Sequence, residues 1–502
     1  MATALSGWGR AHTFEQPPAM ALPLVVQAPL SFPELLTVAA DATRRLEEAT
    51  GRLGEEEGVL SLAVPLAGLD PLALLPHLGG GDDDGFRFLW DGAPGLCLAA
   101  SGRCHSLELS GPRRFELAQR FSALSLGRLA LPPGEPPPLA RPRVLLAFAF
   151  FDSPLQQGTG AAGVQAVLPR WQLSRQGRHC WLRLQRCLGG GITARSLAEE
   201  LWDQARRLEQ RAAAAGEAGE TPVQARITRG SPWQEGYRSA LGKALALVEQ
   251  GDLRKLVLAV RQELLLDGPL DPLALLGHLR RSQPGSCRFL WQQSPREALL
   301  GASPERLLTV RQDQLRSDAL AGTAPLAAGP SLLHSPKDRH EHELVVEAIT
   351  ATLMQMGLRP RRPRHPRLAR HGGLVHLHTP ITARLTGQPT LALAAALHPT
   401  PAVAGLPRRE AMAWLRSLEP FERGHYAAPI GWIDSQGDTD LRVAIRSGTV
   451  RGDRLELTAG AGLVRGSTPE RELQEVGLKL GVLQQQLNLP QADRSGRGVP
   501  SA

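Results

Sequence analysis

One pattern occurs twice in this chain, and it limits the architectures open to it. DPLALLPHL at residues 70–78 is followed by FRFLW at 86–90, and DPLALLGHL at 271–279 is followed by CRFLW at 287–291. Two occurrences so far apart do not make a solenoid, whose units must stack on immediate neighbours, and they predict two lobes of related topology. Between them QRAAAAGEAGETPVQARITRGSP, residues 210–232, is small and polar and reads as a linker. LPPGEPPPLARP at 131–142 reads as a second surface connection. The expected division is a first lobe over 1–230 including the linker, a second over 231–488, and a disordered tail over 489–502.

Composition narrows the functional classes. The 502 residues are 42% hydrophobic, enough for a large core. Apolar runs are interrupted before they reach bilayer-crossing length, and the first residues lack the charged-then-apolar order of a secretory signal. A cytoplasmic location without membrane attachment is therefore expected. Cys97, Cys104, Cys180, Cys187 and Cys287 are odd in number and include no CxxC pair, which suggests buried thiols and neither a disulfide framework nor a thiolate zinc site. The net charge of +8 and pI near 9.8 suit an anionic partner. Arginines cluster only in RPRRPRHPRLARH at 359–371, a Pro-interrupted loop with no aromatics to stack on bases. A small anionic substrate, and not nucleic acid, is the expected partner.

Most of the chemistry-bearing motifs fall in the second lobe. Residues 233–250 have helical periodicity ending at Gly251, and a Gly251-Asp252 turn delivers Lys255 to the start of the apolar strand KLVLAV. LRVAIRSGTV at 441–450, the turn RGDR and LELTAGAG at 455–462 read as a hairpin with Arg442, Ala444 and Arg446 on one face. SPKDRHEHELVVEAI at 335–349 reads as a helix with Ser335 at the N-cap, Pro336 at N1 and Asp338 at N3. Glu341 shares its core-facing stripe with Leu344, Val345, Ala348, Ile349 and Thr352. The zinc-protease pattern HExxH fails here, because the position one turn after His340 is Leu344.

A helix from about Thr468 places Glu472, Glu475, Val476 and Lys479 on one face. On spacing alone Glu475 and Lys479 also fit an ordinary surface pair. The small residues of LTAGAGLV just before that face favour a ligand-approaching segment. Carboxylate oxygens without thiolate or imidazole suit a hard cation, and magnesium in particular where substrate oxygens complete the set.

GASPERLL (301–308), ALAGT (319–323), KDRHEHELV, HPTPAVAG (398–405), EPFERGHYAAPIGW (419–432), AGAG and EVGLKL, in this order and spacing over 233–488, resemble the chorismate-utilising enzymes, and among them the isochorismate synthases. The first lobe matches only through the pattern around FLW. The resemblance implies an α+β fold of two large, mainly antiparallel sheets packed face to face with helices outside. It implies an isomerase that adds water at C2 of chorismate while the C4 hydroxyl leaves, with Mg2+ as cofactor. Water is a poor nucleophile and hydroxide a poor leaving group, so the reaction needs a base on one ring face and an acid on the other. Lys255 aligns with the family's base and Glu305 with its acid. The roles require a Lys255 pKa lowered by burial and nearby positive charge, and a Glu305 pKa raised by burial; a lone strand-end lysine otherwise reads as solvated.

By the same resemblance Glu341 and Glu475 align with magnesium carboxylates and Glu472 with a third. Arg446 and Lys479 align with residues that hold substrate carboxylates, and Gly322, Thr323 and Gly460 fall where backbone approaches the ligand. His376 aligns with a histidine near the C4 oxygen, although a histidine in an apolar strand is also a common core residue. His340 and His342 read as helix-surface or supporting groups. Ala321 stands where aminodeoxychorismate synthases of one type carry a nucleophilic lysine, and Lys255 stands where anthranilate synthases usually lack one. Both favour water as nucleophile with no obligatory glutaminase partner, and a monomer is expected. Quinone synthesis, menaquinone or phylloquinone, is the favoured destination of the product. Val260 and Leu326 depart from arginines frequent in the family. A salicylate synthase, which also expels pyruvate, is the second enzymatic reading, and a silent binding subunit is the non-enzymatic one.

Overall fold

The computed structural model describes residues 31–487 apart from 51–57, 80–83, 93–94, 133, 135, 155–160, 188–191 and 216–224. The expected tail over 489–502 lies outside the described residues, as does the middle of the expected linker. The ends of that linker are ordered elements: the helix Ala194–Ala215 runs into it, and Ile227–Gly230 is a strand.

Strands form two long ladders. The first runs in space Val59–Leu66, His179–Cys187, Val164–Gln176, Cys97–Leu109, Arg87–Asp91, Cys287–Ser294, Glu297–Ser303, Ser447–Arg451, Arg454–Leu463 and Lys255–Leu266, every neighbour antiparallel. The second leaves the first half of Val164–Gln176 and runs Arg143–Phe148, Pro429–Asp434, Thr439–Val443, Arg306–Arg311, Gln314–Pro325, Leu374–Arg384 and Arg367–His371, again antiparallel throughout. This is the expected α+β arrangement of two large sheets. The last strand also revises the reading of 359–371, because the second half of that basic stretch is a sheet edge and not loop.

The repeated motif occupies the middle of the first ladder. Its two strands pair with each other, Phe88 opposite Trp291 and Trp90 opposite Phe289. Alternation sends these four rings to one face, where they meet Leu145, Ala147, Ile430 and Trp432 of the second ladder. The core between the sheets is therefore built from both copies at once. DPLALL is a helix start in both places: Asp70 accepts from Leu72 N–H and Asp271 from Leu273 N–H, each followed by proline at the first helical position. Pro76 lacks the N–H to continue, so the first copy stops as a helix at Leu74 and tightens into a short 3-10 turn. Gly277 at the same place lets the second helix run to Ser282.

The strand expected over 441–450 is broken. Thr439–Val443 belongs to the second ladder and Ser447–Arg451 to the first, and only the latter forms the hairpin with Arg454–Leu463. Arg446 has φ 53, a left-handed conformation that ends strand pairing, so Arg442 and Arg446 do not share a face of one strand. Arg442 is bonded to Asp440 at 3.0 Å. Among the described residues no helix is long and apolar enough to cross a membrane.

Candidate active site

The polypeptide passes between the two ladders at two adjacent places. Pro304 and Glu305 link Glu297–Ser303 to Arg306–Arg311, and Ala444, Ile445 and Arg446 link Thr439–Val443 to Ser447–Arg451. The crossings are bonded to each other: Val443 N–H donates to Glu305 O at 3.1 Å and Ala302 N–H to Arg446 O at 3.1 Å. Ser303 Oγ donates to Val443 O at 2.6 Å and accepts from Glu305 N–H at 3.2 Å. A Cβ on Gly301 would lie 2.6 Å from Arg446 O, so only glycine permits this approach. GASPE is thus glycine for contact, serine as staple, and a glutamate carried where the sheets part.

Glu305 and Arg446 are both buried. Burial pushes the Glu305 carboxyl up to about 7, against the opposing pull of Lys255, Arg446 and Lys479 and of the Thr400 hydroxyl. The same charges that act on Glu305 therefore include the residue expected to face it across the substrate.

Lys255 opens its strand fully buried. On the neighbouring strand a Cβ at Gly462 would sit 2.2 Å from Glu341 Oε1 and 3.1 Å from Lys255 Cε. The last glycine of AGAG leaves the space in which Glu341 Oε1 meets Lys255 Nζ at 3.1 Å. The group in contact with Lys255 is hence a carboxylate and not the positive charge expected from sequence. The strand is braced by EPFER: Glu419 Oε1 accepts from Ala259 N–H at 2.8 Å, while Arg423, paired with Glu419, donates to Val257 O at 2.8 Å and Val403 O at 2.7 Å.

Two helices bring the acidic groups together. Pro336–Gln355 starts as expected, with Ser335 Oγ accepting from Asp338 N–H, and buries Glu341 beside Leu344, Val345 and Ile349. Pro469–Gln484 buries Glu472 and Glu475. Lys337 Nζ lies 2.7 Å from Glu472 Oε1. Burial opposes the Lys337 ammonium, but the charges of Glu341, Glu472 and Glu475 outweigh it and raise its pKa. Lys479 Nζ lies 2.6 Å from Glu475 Oε1 and donates to Gly460 O at 2.7 Å. Burial raises the Glu472 carboxyl, whose Oε2 is buried without a hydrogen-bond partner among the described residues. The three carboxylates are each paired with a lysine and do not stand as a set within 4.8 Å of one another, but an all-carboxylate lining with an orphaned buried oxygen is of the kind that suits a hard divalent cation.

Gly322 forms a bulge in ALAGT with φ 71, between Ala321 and Thr323. His376 Nδ1 lies 3.1 Å from Gly322 O and 3.3 Å from Thr323 Oγ1. A carbonyl only accepts, so Nδ1 carries the hydrogen and Nε2 is left as an acceptor, buried and without a partner among the described residues. Burial, with Arg446, His371 and Lys479, holds His376 neutral. At Gly460 a Cβ would lie 2.8 Å from Leu258 O, a backbone approach like that at Gly301.

Lys337, Thr400, Gly301 and Gly462 were not singled out from sequence. Lys337 had a signal, one turn before Glu341 on the same helix; the glycines had none beyond their motifs. His340 is exposed, as read, but His342 is buried with Nε2 2.8 Å from Thr379 Oγ1.

A family model described as "Chorismate binding enzyme" matches residues 44–488. The salicylate biosynthesis isochorismate synthase of Pseudomonas aeruginosa is 35% identical over 438 residues, covering 84% of this chain and 89% of that protein. Isochorismate synthase EntC of Escherichia coli is 34% identical over 293 residues, 57% of this chain and 75% of that protein. Among solved structures, MenF, the menaquinone-specific isochorismate synthase from Escherichia coli, has a TM-score of 0.68 at 26% identity, covering 90% of this chain and 100% of that one.

Proposed function

The chain belongs to the chorismate binding enzyme family, and from that premise we propose that it is an isochorismate synthase, converting chorismate to isochorismate with Mg2+. The observation that carries the reading is the burial of Glu305, with a carboxyl poised near neutrality, within the field of Lys255, Arg446 and Lys479.

In this mechanism Lys255 Nζ takes a proton from water as its oxygen bonds to C2. The ring double bonds shift, the C4–O bond breaks, and Glu305 gives its proton to the departing hydroxyl, which leaves as water. One water enters and one leaves, so the product is an isomer of the substrate. Arg446 and Lys479 hold substrate carboxylates, one as a fixed guanidinium and the other as a point charge. His376 Nε2 accepts from a substrate hydroxyl, and the backbone at Gly322, Thr323 and Gly460 approaches the substrate. Glu341, Glu475 and Glu472 would hold the cation, which when bound supplies positive charge for the substrate's ring carboxylate. Quinone synthesis remains the favoured destination.

The test is a product assay with chorismate and magnesium. Isochorismate without pyruvate is expected. Salicylate plus pyruvate would select the salicylate synthase reading, and absence of turnover by folded, magnesium-bound protein would select the silent one.

A further inference from the structure

The strand Cys97–Leu109 has a bulge between Arg103 and His105, so that Arg103 faces Pro169 and His105 faces Leu168 on the neighbouring strand. In a regular strand Cys104 and His105 would point to opposite faces. The extra residue re-aims them, as bulges do, and both side chains reach the end of His179–Cys187. Cys187 Sγ lies 4.0 Å from Cys104 Sγ and 3.2 Å from His105 Nε2, and the three donor atoms are all within 4.8 Å of one another. None of these strands carries a residue of the candidate active site.

A tetrahedral zinc ion with Zn–S of about 2.3 Å and Zn–N of about 2.0 Å spans edges of roughly 3.8 Å between sulfurs and roughly 3.5 Å between sulfur and nitrogen. The Cys104–Cys187 and Cys187–His105 separations depart from these by only a few tenths of an ångström, and Cys104 and His105 offer ligand atoms within 4.8 Å of each other. A disulfide needs the sulfurs at about 2.05 Å, roughly 2 Å closer than they stand. The separations therefore favour a shared metal over a covalent bond. Two thiolates would neutralise a dication, which suits a half-buried site, and the soft donors separate it in kind from the carboxylate cluster.

We infer that Cys104, His105 and Cys187 form a zinc site with an open fourth position, clipping the bulged strand to the end of a strand two places away in the ladder. The five cysteines gave no such sign in sequence because the two sulfur ligands come from segments that only the sheet brings together.

The test uses the full chain, reduced and freed of metal by a chelator, with Co2+ as the first probe. One equivalent should produce a thiolate-to-cobalt charge-transfer band that Zn2+ abolishes. Cys104→Ser and Cys187→Ser should each lose the band, while Glu341→Gln should keep it. Zinc-loaded wild type needs no variant: its X-ray absorption should give two sulfurs near 2.3 Å and at least one nitrogen near 2.0 Å. A shell of oxygen and nitrogen alone, a band that survives in Cys187→Ser, or a Cys104–Cys187 disulfide with no metal uptake would each overturn the site.

Discussion

In the proposed reaction two residues carry the proton transfers, and each makes a separable claim. Lys255→Ala removes the proposed base, and the rate should fall by roughly two to four decades while chorismate still binds. Single-turnover kinetics with calorimetric binding would check this, and turnover within a few-fold of wild type would remove Lys255 from the role. Glu305 makes a claim about pH. Its carboxyl is raised from 4.5 to about 7, so the neutral form is the one the fold favours. The stability it contributes is complete below its ordinary pKa and is lost as pH rises through about 7, an effect of about 3 kcal/mol at the full shift. Glu305→Gln should therefore gain melting temperature relative to wild type between pH 6 and 8. Wild type should show a high-pH fall in kcat/KM near 7, and this variant should lose it. An unchanged difference in melting temperature across that range would mean that Glu305 is not buried as an acid.

Elements place these residues, and the two crossings between sheets are the most exacting. Gly301→Ala would drive a methyl group into Arg446 O, with backbone on both sides and no flexible tip to give way. Overpacking of this kind costs about 1–3 kcal/mol. Because Arg446 is assigned to a substrate carboxylate, KM for chorismate should rise more than kcat falls, read by steady-state kinetics beside urea unfolding. Lost stability with unchanged KM would detach that crossing from substrate binding. The same region marks where sequence reading stopped. The helix from Ser335 was legible because its start is local: a serine cap, a proline and an apolar stripe within a few turns. The break at Ala444–Arg446 was not, since LRVAIRSGTV alternates like one strand and its left turn is imposed by partners in two different ladders. Glu341 and Glu475 were legible as one-face carboxylates, whereas the room between Glu341 and Lys255 depends on a missing side chain at Gly462.

At the scale of the whole molecule, the repeat does more than set topology, because its copies are joined by charge. Asp91, one residue past the first FRFLW, faces Arg288 of the second copy across the ladder, with Arg288 Nη2 at 2.9 Å. Arg280, from the helix of the second copy, reaches Asp91 at 2.7 Å and Asp70, the cap of the first helix, at 2.7 Å. Asp91 is buried; burial would raise its carboxyl, but Arg288 and Arg280 prevail and bring it down to about 2. A depressed carboxyl adds stability above its ordinary pKa of 3.8 and loses it as pH falls through about 2, here about 2 kcal/mol in full. Asp91→Asn leaves Arg288 buried without its counter-charge and should cost about 3–5 kcal/mol at pH 7. By pH 3 the gap to wild type should narrow by about 1 kcal/mol, because wild type has by then lost part of the same contribution. Urea unfolding at the two pH values measures both numbers. A gap that stays constant would mean that the copies are held by their shared aromatic core alone, with the ionisation of Asp91 adding nothing across the seam.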